Sequence, residues 1–176
     1  MLFTETKLSG SYLIDIEPRK DARGFFARSF CGDEFRQHGL IAVFTQINVA
    51  ESAKPGTLRG LHFQSPPHAE AKVVCCTAGA IFDVIVDLRP DSATRGQWFG
   101  VELTAQNHRM IYVPPGFAQG YQTQTADAAI YYLTSAPFAP GSASGVRYND
   151  PAFGITWPAP VTAISDADTS WPAFRL

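Results

Sequence analysis

The sequence predicts an all-β protein, a double-sheet jelly roll that carries one or two short helices. Apolar residues alternate with a period of 2 far more often than with a period of 3.6, which is typical of half-buried strands. The 176 residues include 14 Gly and 13 Pro but only 17% charged residues, which favours short strands and tight turns over a helical bundle. About ten strands at regular spacing are typical of a jelly roll or a closed barrel, and we expect residues 1–176 to form one domain.

The predicted strands follow from segments in which apolar and polar residues alternate. In chain order they cover residues 11–16, 25–30, 43–50, 58–64, 71–77, 80–87, 98–103, 109–113, 120–123 and 128–134. Most breaks between them contain Gly, Pro, Asn or Asp, which favour turns. A short helix is predicted at 32–38, where Asp33 could cap the first turn and Gly39 could end the helix. Ordered loops are expected around 150–151 and 157–158, before a tail at 165–176.

Charge and cysteine content exclude several classes of protein. Lys and Arg number 14 against 16 Asp and Glu, so a net charge of −2 gives no overall field for nucleic acid or an anionic membrane. A local basic pocket for a small anion remains compatible with this balance. Three cysteines cannot form a disulfide framework, and no stretch approaches the roughly 18 apolar residues of a membrane span. We therefore expect a soluble, reduced, cytoplasmic protein without a signal peptide.

Polar residues in the predicted strand 43–50 have two interpretations. Gln46 and Asn48 share one face of this strand because side chains alternate. That face could simply be exposed to water, as in many antiparallel sheets. Alternatively, it could line the inside of a barrel, where buried amides orient a ligand.

The strand 58–64 holds the densest group of polar residues. His62 and Gln64 share a face, and Gly60 leaves room beside them for something large. A lone strand histidine is more often structural than functional, so this pair alone is weak. Lys72 and Asp83 are stronger candidates, because a charge inside an apolar strand is costly unless it is paired or used.

Two adjacent tyrosines add a further candidate. Tyr131 and Tyr132 point to opposite faces of one strand, so one of them must face the inside of the barrel. The simpler interpretation is core packing with a satisfied hydroxyl.

Two motifs resemble those of the cupin superfamily: residues 56–64 (GTLRGLHFQ) and residues 114–121 (PPGFAQGY). Four more segments occur in order, namely DARGFF at 21–26, QIN at 46–48, FDVIVDLR at 82–89 and RYNDP at 147–151. Together, from about Ser11 to Asp168, they are similar to the dTDP-4-dehydrorhamnose 3,5-epimerase family. The resemblance implies a cupin barrel and an epimerase of deoxysugar biosynthesis. Its substrate would be a nucleotide-linked 4-keto-6-deoxyhexose, with dTDP as the expected nucleotide.

The expected site contains no metal and no other cofactor. Metal-binding cupins use a His-x-His pair, a following Glu and a later histidine. Here Gln64 and Gln119 occupy two of the histidine positions. His62, with His68 or Glu70, would supply too few ligands for a stable imidazole-rich site.

The resemblance assigns catalytic roles to four residues. His62 would be the base that removes the proton next to the ketone, and Asp168 would fix its tautomer. Lys72 would stabilise the enolate oxygen, and Tyr132 would return a proton to the opposite face. These residue types suit the roles, because imidazole titrates near neutral pH and phenol is a weak acid.

The resemblance also assigns binding roles. Arg23 and Arg59 would hold the diphosphate, Phe26 would lie against the base or sugar, and Gln46 and Asn48 would reach the sugar. In the family the strand with Arg23 and Phe26 comes from the partner subunit, so we expect a homodimer. Neither nucleic acid nor a membrane is expected as a partner.

The chain departs from the family at four positions within or near the expected substrate site. Phe138 replaces a second tyrosine, and Gln119 replaces a histidine that pairs with the carboxylate at Asp83 in the family. We expect Asp83, Gln119 and Phe138 to belong to the substrate-binding residues. Arg28 and Ala143 stand where many members have acids. We hypothesise that Phe138 and Gln119 reshape one side of the site, so that one centre, C3, is inverted and the other poorly or not at all.

Three alternatives remain open from the sequence. A sugar-nucleotide ketoisomerase would share enolisation but move the carbonyl, and a non-catalytic sugar-nucleotide-binding cupin would bind without proton exchange. A metal-dependent oxygenase fits least, because two of its expected ligands are glutamines.

Overall fold

The computed structural model describes residues 1–175 and confirms the all-β jelly roll. Within these residues there are thirteen strands and two short helices. The strands are β1 (Leu2–Glu5), β2 (Tyr12–Asp15), β3 (Arg19–Asp21), β4 (Gly24–Phe26), β5 (Gln46–Ser52), β6 (Leu58–Gln64), β7 (Lys72–Ala78), β8 (Ala80–Asp87), β9 (Trp98–Thr104), β10 (Met110–Val113), β11 (Phe117–Thr123), β12 (Ala128–Thr134) and β13 (Ala143–Gly145). The helices are α1 (Gly32–Gln37) and α2 (Asp166–Thr169), and neither has the length needed to cross a membrane.

Two antiparallel sheets face each other and enclose the main core. One has six strands in the order β1-β2-β10-β7-β12-β5, and the other has five in the order β13-β6-β11-β8-β9. From β5 to β8 and from β9 to β13, each strand lies in the sheet opposite to its predecessor. Val74, Ile111 and Ile130 of the first sheet pack against Ile81 and Ile85 of the second. Because the chain alternates between sheets, residues close in sequence come to lie on opposite walls of the sandwich.

Each sheet is also covered on its outer face. Helix α1 buries Phe35 completely on the six-stranded sheet, where its ring packs against Phe3, Phe44 and Tyr112. The loops after β13 cover the five-stranded sheet with a second cluster, which includes Leu61, Val84, Val86, Ala118, Val146 and Phe153. Covering the outer faces leaves the space between the sheets at one end as the place for a ligand.

The predicted helix forms, but its cap differs from the prediction. The N-cap is Cys31, which makes no side-chain capping bond, whereas Asp33 lies inside the first turn and pairs with Arg36 at 2.5 Å. Aspartate in the first turn still favours the helix through the dipole. Gly39 follows the helix with φ +72, a conformation that glycine adopts without strain, so the predicted end is confirmed.

Several strand boundaries were predicted wrongly. The predicted strand 25–30 is restricted to Gly24–Phe26, which pairs only with Arg19–Asp21, and the predicted strand 43–50 pairs from Gln46 to Ser52. The short strands β1, β3 and β13 and the helix α2 inside the predicted tail were not predicted at all. Segments of three or four residues hold too few alternations to produce a periodic signal.

Candidate active site

Two adjoining cavities of about 460 and 530 Å³ open between the sheets. His62, Lys72 and Tyr132 line both of them. His62 comes from β6 of the five-stranded sheet, while Lys72 and Tyr132 come from β7 and β12 of the six-stranded sheet. The jelly roll therefore places an imidazole on one wall, and an ammonium group and a phenol on the other.

His62 is held by a carboxylate from the end of the chain. Its Nε2 lies 2.5 Å from Asp168 Oδ1, and the backbone N–H of Gly60 donates to Asp168 Oδ2 at 3.1 Å. Burial opposes ionisation of Asp168, but the bonds from His62 and Gly60 outweigh it and hold its pKa below the ordinary value. Because the carboxylate is ionised, His62 Nε2 is the donor in this bond, and Nδ1 is the ring nitrogen that Asp168 leaves free for another partner.

Helix α2 carries Asp168 into this position. Ser165 caps the helix by accepting a bond from the backbone N–H of Asp168 at 3.1 Å, and Asp168 is its buried residue. A parallel bridge between Thr57 and Ala163 ties the preceding segment to the chain just before β6. The segment predicted as a tail is therefore the element that completes the His62–Asp168 pair.

Gly60 has a different role from the one expected. Its φ is +106, and a Cβ there would lie 2.8 Å from Gln119 O and from the Cα of Gly120. The space that the glycine leaves is thus filled by the backbone of β11, not by a ligand. Only glycine permits this approach together with this backbone conformation.

Lys72 is a buried cation at the cavity wall. It is 8% exposed, and its Nζ lies 3.3 Å from Glu70 Oε1 and donates to the carbonyl of His62 at 3.3 Å. Burial lowers the pKa of Lys72, while Glu70 and then Asp83 oppose this effect. An ammonium group held beside the base suits an oxygen that becomes negative during a reaction.

The two adjacent tyrosines point as expected to different environments. Tyr132 lines both cavities, whereas Tyr131 lies on the outer side of the sheet beside Cys75. Burial raises the pKa of Tyr132, and Glu70 raises it further. Tyr132 therefore keeps its proton at neutral pH and can act as a weak acid.

The binding residues divide into those on the cavity wall and those outside it. Gln46, Asn48 and Phe138 line the first cavity, and Arg59 lines the second, where Nε donates to Ser52 Oγ at 3.1 Å. Gln46 Oε1 also accepts the backbone N–H of Phe138 at 2.9 Å. For the face of β5, the cavity-lining interpretation is the correct one.

The expectation that Asp83 binds substrate is not met within one chain, because Asp83 does not reach the cavity surface. It is fully buried, and Gln119 Nε2, on the neighbouring strand, donates to its Oδ2 at 2.6 Å. Burial raises the pKa of Asp83 to about 8, against which the bond from Gln119 and the charge of Lys72 act only in part. Gln119 lines the second cavity, so Asp83 is connected to that cavity only through its bond with Gln119.

Arg23 and Phe26 lie away from both cavities of the same chain. They are on the β3–β4 hairpin, where the Arg23 side chain is 90% exposed and pairs with Asp21, and Phe26 is 75% exposed. The neighbouring Phe25 packs on His108 with ring centroids 5.0 Å apart. Within one chain the structure does not bring these two expected binding residues to the site.

Trp171 is a cavity residue that sequence reasoning did not name. Its indole lines the first cavity, meets the His62 ring edge-on at 6.4 Å between centroids, and packs directly on Gly145. It lies three residues after Asp168 in a segment predicted as a tail. The signal available was a large aromatic residue that follows the polar stretch 165–170.

The residues at the cupin metal positions are engaged elsewhere. Gln64 Nε2 donates to Glu70 Oε2 at 2.7 Å and lies near the carbonyls of His68 and Pro137, while Gln64 Oε1 accepts the N–H of Ala139 at 2.6 Å. Within residues 1–175, no three His, Cys, Asp or Glu side chains are grouped as metal ligands. The donor set at these positions does not fit a resident metal ion.

Comparisons with known proteins agree with this geometry. The sequence profile of the dTDP-4-dehydrorhamnose 3,5-epimerase family matches residues 5–175. The enzyme of that name from Sinorhizobium fredii is 44% identical over 161 residues, covering 90% of this chain and 83% of its own.

Solved structures superpose closely on this one. That of dTDP-4-dehydrorhamnose 3,5-epimerase from Elizabethkingia anophelis has a TM-score of 0.96 and 37% identity, covering 99% of this chain and 96% of its own. The Bacillus anthracis enzyme with TDP and PPi bound gives 0.95 and 39%, with coverages of 98% and 99%. A 3'-monoepimerase from Streptomyces bikiniensis in complex with dTDP-quinovose gives 0.88 and 34%, with coverages of 96% and 85%. On its fold, its site and these matches, the chain belongs to the dTDP-4-dehydrorhamnose 3,5-epimerase family.

Proposed function

We propose that this enzyme epimerises a dTDP-linked 4-keto-6-deoxyhexose by removing and returning a proton next to the ketone. The observation that carries the proposal is the His62–Asp168 pair, which faces Tyr132 across a cavity that Lys72 also lines. A relative of the same fold binds TDP and PPi, which supports a nucleotide diphosphate as part of the substrate.

The reaction needs a base, a group for the enolate oxygen and an acid on the opposite face. His62 Nδ1 takes the proton from the carbon beside the ketone, and the electron pair moves onto the carbonyl oxygen. Lys72 stabilises this oxyanion. When the carbonyl re-forms, the carbon takes the Tyr132 proton from the other face, which inverts the centre. Solvent then restores the protonation states of His62 and Tyr132.

The remaining cavity residues orient the nucleotide sugar. Arg59 presents its guanidinium group to the diphosphate, and its bonds to Ser52 Oγ and the Glu51 carbonyl hold it in place. Gln46 and Asn48 face the sugar side of the cavity. Phe138 offers an apolar surface at the same cavity.

The site is completed by a second copy of the chain, so the enzyme works as a homodimer. Support comes from the hairpin, because Arg23 and Phe26 are exposed and far from their own cavity. Ile47 and Val49 on the outer face of edge strand β5 are also 68% and 77% exposed, and exposed apolar surface favours association. A guanidinium group and an aromatic ring would thus reach the partner's cavity.

Mixing two inactive variants tests this arrangement. Arg23→Ala/Phe26→Ala and His62→Ala each remove one half of every site. In a mixed dimer one cavity has an intact His62 and receives an intact hairpin, so dissociating and reannealing the two variants together should restore part of the activity. If mixed dimers form but show no activity, the hairpin of one subunit does not complete the cavity of the other.

The number of inverted centres is linked to two departures from the family pattern. Phe138 lacks a hydroxyl and Gln119 lacks an imidazole, so the wall around Tyr132 has fewer proton donors. We expect inversion at C3 with little or none at C5. Restoring Phe138→Tyr and Gln119→His together should increase C5 inversion, and an unchanged product ratio would argue against this role.

Solvent exchange tests the reaction itself. The enzyme is incubated with dTDP-4-keto-6-deoxyglucose in D₂O, and deuterium is located by NMR and mass spectrometry. Label at C3, C5 or both is expected, and His62→Ala should reduce it by at least ~10²-fold. If the substrate binds but takes up no deuterium, the protein is a sugar-nucleotide-binding protein and not an epimerase. A carbonyl at a new position in the product would indicate a ketoisomerase.

The proposed cellular setting is the cytoplasm. Cys31, Cys75 and Cys76 are all free thiols, which suits a reducing compartment. A nucleotide-sugar substrate would be available there to an enzyme of deoxysugar biosynthesis.

A further inference from the structure

We propose that Glu70 is a positioning residue of this active site, whose carboxylate fixes the Lys72 ammonium group as a cation at the cavity wall. The inference rests on the proposed function, in which the charge of Lys72 stabilises the oxyanion. Glu70 itself lines the first cavity together with Lys72 and Tyr132.

The carboxylate of Glu70 is held between two side chains. Oε1 lies 3.3 Å from Lys72 Nζ, and Oε2 accepts from Gln64 Nε2 at 2.7 Å. The side chains of Lys72 and Glu70 are 11% and 9% exposed, so water screens the pair little. Gln64 thus holds Oε2 in place, while Oε1 faces the Lys72 ammonium group.

Gln64 makes this anchor rigid. It is 4% exposed, and its amide is bound on both sides, because Oε1 accepts the backbone N–H of Ala139 while Nε2 also lies near the carbonyls of His68 and Pro137. A buried amide with all its groups engaged has little freedom to rotate. The backbone around the cavity therefore sets the position of Glu70.

The charges around Lys72 leave Glu70 as its main counter-ion. Asp83 on β8 also acts on Lys72, but less strongly than Glu70, and burial raises the pKa of Asp83 to about 8. From β6 the carbonyl of His62 accepts from Nζ, and from β12 Tyr132 faces the same space as a neutral phenol. Without the charge of Glu70, burial would lower the pKa of the Lys72 ammonium group further.

Glu70→Gln tests the inference because it removes the charge and keeps the shape. In trace acetylation with acetic anhydride across pH, mass spectrometry of the Lys72 peptide reports the pKa of this amine separately from that of Tyr132. We expect a decrease of about one pH unit or more, since a nearby opposite charge shifts a pKa by ~1–3 units. The pH at which the deuterium-exchange rate falls on the alkaline side of its profile, here called the alkaline limb, should decrease together with the pKa of Lys72.

Two further variants complete the experiment. Glu70→Asp keeps the charge and should restore much of the alkaline limb. Asp15→Asn breaks the Asp15–Arg109 pair, and neither of these residues lines the two cavities. This variant should leave the pH profiles of Lys72 labelling and of deuterium exchange unchanged. Equal loss of rate at every pH in Glu70→Gln, with unchanged Lys72 labelling, would overturn the inference. If Lys72→Met exchanged deuterium normally, the proposed function of Lys72 would fail, while the labelling result would still decide the role of Glu70.

Discussion

Single residues in this protein owe their chemistry to what surrounds them. Asp83 and Asp168 are both buried carboxyl groups, yet their pKa values move in opposite directions. Asp168 receives bonds from His62 and from the backbone of Gly60, whereas Asp83 receives only the neutral amide of Gln119. The depth of burial, set against the number of hydrogen-bond donors, therefore decides in which direction each pKa moves.

Asp83 should make the protein less stable as pH rises. Its pKa of about 8 lies above the ordinary value of 3.8, so between about pH 4 and 8 the native state keeps a proton that the unfolded chain releases. Asp83→Asn cannot ionise and still accepts the bond from Gln119. The variant's advantage in unfolding free energy over wild type should therefore grow from pH 4 to pH 8 in urea titrations. The same advantage at every pH would refute this reasoning, and exposed Asp166→Asn serves as the control.

At the scale of elements, short loops and strands hold the polar groups in place. The loop between β8 and β9 wraps around Asp87, whose carboxylate accepts from Arg89, Ser92 and Thr94. Strand β13 lies close to the chain end, because Trp171 packs on Gly145. Neither contact was visible in the periodicity of the sequence, because loops and chain ends carry no regular alternation of apolar and polar residues.

The loop around Asp87 should be sensitive to acid. Burial opposes ionisation of Asp87, but the bonds from Arg89, Ser92 and Thr94 outweigh it and lower its pKa to about 2. The stabilisation is present above the ordinary pKa of 3.8 and is lost as pH falls towards 2. Asp87→Asn should be less stable than wild type at pH 7, and the difference should shrink below pH 4 in denaturant titrations. A constant difference down to pH 2 would contradict this assignment.

The contact between β13 and the chain end should not tolerate a larger residue. A Cβ at Gly145 would lie 2.4 Å from Trp171 Cε2 and 2.6 Å from Leu61 O. Gly145→Ala should lower the unfolding free energy by about 1–3 kcal/mol. Trp171→Ala should relieve part of this loss in a double-mutant cycle measured by urea denaturation, because the contact with Leu61 O remains. Gly141→Ala, at an open position, is the matched control.

At the scale of the whole molecule, the two edges of the six-stranded sheet differ in their expected role. Edge strand β5 exposes Ile47 and Val49 on the face opposite the cavity, and edge strand β1 exposes Leu2. The proposed homodimer needs an apolar surface near the cavity, which β5 provides. Strand β5 thus presents the proposed binding amides on one face and the proposed association surface on the other.

Charges on the outer face of β5 should separate the proposed dimer. Ile47→Glu/Val49→Glu is expected to sediment as a monomer and to lose activity, because each cavity would lack the partner's hairpin. Leu2→Glu, at the other edge of the sheet, should stay dimeric and active. Sedimentation velocity and deuterium exchange measure the two properties, and a fully active monomer would exclude a site shared between subunits.

The sequence by itself determined the fold class, the order of most strands and the family. Strand periodicity and turn residues are local properties, and motifs such as residues 56–64 are read from neighbouring positions. Because side chains alternate along a strand, the sequence also placed His62 and Gln64 on the same face and Tyr131 and Tyr132 on opposite faces.

The tertiary structure decided how distant residues meet. The family resemblance implied the His62–Asp168 pair and a partner for Asp83 at position 119, but only the folded chain brought Asp168 onto His62 across 106 positions, aligned Glu70 between Gln64 and Lys72, and hid Asp83 behind Gln119. These contacts depend on how strands from two sheets face each other and on how the chain end folds back. Burial and pairing of charges follow from that packing, and no local pattern in the chain encodes them.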